Sequence, residues 1–241
     1  MWVICRKEWQ QFFSHFSSYF VLGVFLVLSG IMFFVIPSFS LFDFGYATLQ
    51  LFFIQAPWLL LFLVPAITMR SLPEEYKTGT IEILKTLPFT NWQIVWGKFA
   101  GVVIILFFAL FPTILYAFSL QQLSASGTIE TGATVGSYIG LFLLGAVFCA
   151  VGICVGSFTD NTVVCFCISA LACVILYAGL DALSHVEILT SRGLDYYMQM
   201  LGIKFHYFHI SRGVIDARDI LYFLGLIALL LFITQKKMDT K

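Results

Sequence analysis

Charge is what this sequence has least of. Only 11% of its 241 residues are Asp, Glu, Lys or Arg, whereas 60% are hydrophobic and 17% aromatic; an ordinary soluble domain is roughly 25% charged. A water-soluble chain of this size needs more polar surface, so its exterior has to meet lipid. The formal net charge is zero, which leaves no basic field for nucleic acid and no acidic tail. Chemistry is equally sparse. Sequence spacing assembles no nucleophile with its base, no carboxylate pair and no metal-ligand cluster, so no catalytic residue, metal or cofactor is expected. No Gly-rich phosphate loop ends in Lys and Ser or Thr, so the chain should not hydrolyse nucleotide itself. The long apolar runs also lack Asp, Glu, Lys and Arg near their middles, where ion-driven transporters place such groups. No secretory signal is expected, because the first long apolar run starts late and has no small-residue cleavage site.

What is present is length in the apolar runs. A spanning helix takes about 20 mainly apolar residues, and six stretches qualify: 19–36, 49–69, 99–120, 138–158, 162–182 and a short last one at 219–234. The expected fold is an all-α integral membrane protein with one transmembrane domain over 1–241. Arg6, Lys7, Arg70, Lys77, Lys85, Lys98, Lys236, Lys237 and Lys241 fall on one side of this arrangement. The positive-inside rule makes that side cytoplasmic, with both termini on it. Arg192, Lys204, Arg212 and Arg218 go against the rule, but Glu187, Asp195, Asp216 and Asp219 accompany them and the interval is long enough to weaken it; this mixed polar and aromatic stretch at 183–218 is expected to dip into the outer leaflet.

Local patterns refine this outline. Trp2, Cys5, Trp9, Phe12, Phe13, Phe16 and Phe20 share one helical face opposite Lys7, Gln10, Gln11 and Ser14, which predicts an amphipathic helix in the inner headgroup layer. Pro57, Pro65 and Pro112 fall inside spans and can kink them. Gly136, Gly140, Gly152 and Gly156 form two four-residue steps, a close-packing face either within the chain or between two subunits. Of six cysteines, all but Cys5 lie in apolar spans and read as small apolar filler. His206 and His209 have a metal-pair spacing but no third ligand. Asp216 and Asp219 suit the opening of the last span.

The longest polar interval, 70–98, lies between two of these runs. Within it Gly79 can cap a short helix, with Glu82 near its positive end, Ile81, Leu84 and Leu87 along one side, and Pro88 as its stop. Thr90 and Gln93 have capping-box spacing and open a second helix. A short capped helix between two long ones suits docking in a groove of a soluble partner, and equally an ordinary interfacial loop.

The run Glu74-Glu75-Tyr76-Lys77-Thr78-Gly79-Thr80-Ile81-Glu82-Ile83-Leu84-Lys85-Thr86-Leu87-Pro88, followed by Gly97-Lys98-Phe99, resembles the signature of ABC-2 type permeases. The segment 211–219, running into Leu221-Tyr222-Phe223, is similar to the gliding-motility-associated (GldF-like) subgroup. The resemblance implies a non-catalytic permease subunit of an ATP-driven exporter in the bacterial inner membrane. It implies an ABC ATPase partner and a second membrane subunit, identical or GldG-like. Gly79, Thr80 and Glu82 carry over as positions that would meet the ATPase. The alternative is an ATPase-coupled membrane anchor of a cell-envelope machine without substrate flux; an intramembrane enzyme fits least, having no polar catalytic set.

Overall fold

The computed structural model describes residues 2–34, 49–82, 90–123, 131–179, 181–182, 199–213 and 216–240. Among these the regular elements are all helical: α1 (Trp2–Ser14), α2 (Phe16–Phe34), α3 (Gln50–Thr68), α4 (Pro73–Thr78), α5 (Asn91–Leu110), α6 (Ile114–Leu123), α7 (Thr131–Gly156), α8 (Thr162–Val174), α9 (Ile203–Ser211) and α10 (Ala217–Thr240). Six segments are long and apolar enough to cross a membrane: Phe16–Phe34, Gln50–Thr78, Asn91–Gln122, Gly132–Gly156, Thr162–Gly179 and Ala217–Thr240. The protein is an all-α multi-pass membrane protein.

Several span boundaries differ from the hydropathy reading, two of them for a local reason. The third begins at Asn91 instead of 99, because the Thr90 hydroxyl accepts the Gln93 N–H and the Gln93 side chain accepts the Thr90 N–H, a closed capping box. The sixth is not short. It runs to Thr240, since Gln235, Lys236, Lys237 and Met238 are good helix formers although they end the apolar run.

The prolines act unequally. α3 continues through Pro57 and Pro65, whereas Pro112 sits in a 3-10 turn, Phe111–Thr113, that separates α5 from α6. The break is kept free of orphan groups by side chains: the Thr113 hydroxyl donates to Leu110 O at 2.7 Å, and Tyr138 donates to Thr113 O at 2.8 Å.

Small residues decide which helix is central. α7 packs against α3, α5, α8, α9 and α10, and 78% of its apolar window is buried against 22% for α2 and 22% for the span containing α8. A Cβ on Gly152 would lie 2.6 Å from Thr68 Cβ, and one on Gly136 would lie 2.8 Å from the Ile210 carbonyl. Gly140 meets the Ile210 side chain and Gly156 meets Pro73 and Leu72. The turn after α7 is short, and Asn161 caps α8 by accepting the Val163 N–H at 3.0 Å, which makes α7 and α8 antiparallel neighbours.

Candidate functional site

The polar residues that apolar packing cannot accommodate gather at the end of the bundle where α1 and the C-terminus of α10 lie. Their centre is Lys98, in the third turn of α5, with no exposed surface. Its ammonium donates to Glu8 Oε1 at 2.6 Å and to Ser71 O at 2.7 Å, and lies 2.8 Å from Glu75 Oε2. An ammonium has three protons and finds three oxygens here, which is the condition for burying it. Both carboxylates are engaged at their other oxygens: Glu8 Oε2 accepts from Ser71 Oγ at 3.0 Å, and Glu75 Oε1 accepts from Lys7 at 2.7 Å. Two cations and two anions therefore form one neutral group, drawn from α1, the α3–α4 corner, α4 and α5.

Local sequence places each member. α1 ends at a bend at His15, so Phe16 and Phe20 belong to α2 and not to the α1 face expected to contain them. The face of α1 turned to the protein is Ile4, Cys5 and Glu8; Trp2 is exposed and Trp9 packs its ring 5.0 Å from Phe108. Gly101 on α5 lets α1 approach, since a Cβ there would sit 2.8 Å from Glu8 Cβ. Burial pushes the Cys5 thiol above its ordinary range, and the Glu8 carboxylate adds to that.

α4 carries Glu75 because Pro73 occupies its first turn and Gly79 closes it. Gly79 was expected to open a helix. Its φ of 71°, in the left-handed region open to glycine, also terminates the preceding helix, α4. Its carbonyl then accepts the Glu82 N–H at 3.2 Å, and residues 80–82 are helical, so Gly79 joins two helical pieces. Of the motif residues beyond it, Ile81 is buried, Thr80 shares a hydroxyl contact with Thr78 at 3.0 Å, and Glu82 is exposed. Leu84 and Leu87 lie outside the described residues. The exposed stretch Lys77, Thr78, Gly79 and Glu82 is thus held by Ile81 and by the buried cluster one turn behind it.

Two contacts at this end had no local signature. Asn91 donates to Asp239 at 2.6 Å, and Lys237 lies 5.3 Å over the Phe158 ring, tying the end of α10 to the start of α5 and to the α7–α8 turn. At the opposite end Asp216 caps α10 by accepting the Arg218 N–H at 3.2 Å. His206 does not pair with His209. Its Nδ1 lies 2.6 Å from Asp219 Oδ1 and its Nε2 2.8 Å from Met200 O, while His209 stacks on Phe205 at 4.3 Å. Among the described residues no three metal-ligating side chains converge.

This arrangement, six apolar spans with a polar loop element pinned to one end, agrees with a comparison at the level of families. The family model for the ABC-2 family transporter protein matches residues 58–234, from the middle of α3 into α10. A search of the curated proteins gave no match. The matched region contains the central helix, α4 with its Gly79 closure, and Lys98 at the heart of the buried cluster, and its family implies a permease component that works with an ABC ATPase: the chain belongs to the ABC-2 transporter family.

Proposed function

We propose that the chain is the membrane-spanning permease subunit of an ATP-binding-cassette exporter, in which residues 79–87 meet a partner ATPase on the cytoplasmic side. One observation supports this reading above the others. The segment that would contact the ATPase begins at Gly79, which closes α4, and α4 is locked by Glu75 to Lys98 of the third span and, through Lys98, to Glu8 of α1. A displacement of the loop therefore moves α1 and the third span with it, because breaking the cluster would strand a buried charge. Transport needs such a link, since the chain has no nucleotide loop of its own.

Glu82 is the exposed acid on this segment. Glu82→Lys is expected to reduce ATPase co-purification and stimulated ATP turnover while leaving the membrane domain folded; wild-type values for both would remove the coupling role. Flux measured in vesicles reconstituted with both subunits separates an exporter from a mechanical anchor. The similarity of 211–223 to the gliding-associated subgroup supports a role in that machinery and a bacterial inner-membrane location, with a second membrane subunit that is identical or GldG-like. Pull-down with a tagged chain from its native membrane tests the composition: recovery of two copies of this chain alone would exclude the GldG-like partner.

A further inference from the structure

We propose that the outward face of α9 binds the phosphate headgroup of an anionic membrane lipid. α9 has two faces with separate tasks. Ile203, His206, Tyr207 and Ile210 are buried and dock the helix: Tyr207 donates to Phe53 O in the first turn of α3 at 2.6 Å, and Ile210 lies against Gly140 of α7. The helix therefore sits near the membrane boundary opposite the termini. Its other face is only partly covered by the described residues and is specific in chemistry. Lys204, Phe205, Phe208, His209 and Arg212 line a cavity of about 360 Å³ with Asp181, inside the range of roughly 300–1,000 Å³ usual for ligand sites.

Charge selects the ligand. Lys204 is paired with Asp181 at 2.6 Å, whereas Arg212 is exposed with no ion pair among the described residues, so Arg212 is the cation open to a ligand. An exposed guanidinium suits a phosphate, which it can hold through two parallel hydrogen bonds, and the Lys204 ammonium lines the same cavity. Phe205 and Phe208 suit the glycerol and first methylenes of a lipid, which a soluble anion lacks. Both cations also lie on the side of the membrane that the overall Lys and Arg distribution disfavours. The proposal stands whether or not the chain exports anything.

The test uses the purified intact protein in detergent with equal amounts of phosphatidylglycerol and phosphatidylcholine, and counts retained lipid by native mass spectrometry. The wild type is expected to retain phosphatidylglycerol preferentially. Arg212→Gln and Lys204→Gln should each lower that retention by about tenfold, the scale of one charge-assisted contact, and leave phosphatidylcholine unchanged; Lys237→Gln at the opposite end should change neither. Equal retention of the two lipids by the wild type overturns the proposal without recourse to any variant, as does undiminished retention in both pocket variants. Complete displacement by millimolar inorganic phosphate would mark a soluble-anion site and overturn the lipid assignment.

Discussion

A lysine with no exposed surface is stable only when its charge is matched, and Lys98 meets that condition with hydrogen bonds to Glu8 and the Ser71 carbonyl and an ion pair to Glu75. Removing one partner leaves a buried charge unmatched, which costs about 3–5 kcal/mol. Glu8→Gln and Lys98→Met should therefore each lower stability to denaturant in detergent by about that amount, and the double variant by much less than the two together. Additive losses would show that the two do not act as a unit. Cys5 reports the same event chemically: its thiol is buried and pushed up, so maleimide labelling should be slow in the wild type and faster in Glu8→Gln, where α1 is loosened. The charges at 70–98 were legible as a polar island, and Lys98 as part of a motif. Glu8 was not. It lies on a helix whose aromatic periodicity dominates, and its partner is 90 residues away, a pairing that no local pattern encodes.

At the scale of elements, the chain was readable wherever a cap or a composition step is local. The Thr90–Gln93 box and Asp216 cap as their residue types predict. α4 is not legible although Pro73 and Gly79 bracket it, because Gly79 serves two helical pieces, closing α4 and preceding residues 80–82. The end of α10 was missed because hydropathy stops before helix propensity does. Gly79 is the position where the element argument can be tested. An alanine there must hold φ near 71°, which costs roughly 1–2 kcal/mol for an L-residue with a side chain. The local answer is for α4 to run on and swing residues 80–82 away, since nothing lies within 4 Å of a Cβ at this point. Gly79→Ala should therefore leave the spans assembled, as judged by size-exclusion elution, and reduce ATPase co-purification. Gly79→Asn, which tolerates the left-handed region better, should recover part of it. Equal loss with both would point to the side chain and not the backbone.

At the scale of the molecule, the six spans were legible from hydropathy, but their order from centre to edge was not, because lipid-facing and protein-facing residues are equally apolar in a membrane. Glycine spacing marked α7 as a packing helix and could not say against what. The structure has it packed on five other helices of its own chain, with α2 and α8 at the periphery. The cysteines sample this order. Cys149 and Cys173 are fully buried between helices and Cys165 is covered, whereas Cys167, on the outer face of α8, is exposed. In detergent, a small membrane-permeant thiol reagent should modify Cys167 first, and mass mapping should find Cys149 and Cys173 unmodified until the protein unfolds. Early modification of Cys149 would contradict α7 as the centre. The same experiment in native membranes reads the assembly. If Cys167 reacts there as it does in detergent, the α8 face meets lipid; if it is protected in the membrane and becomes reactive once the complex is dissociated, another subunit covers it. The outcome assigns one of the two peripheral spans to lipid or to the dimer, a choice that composition leaves open because either neighbour accepts the exposed Val163, Ile168 and Leu171.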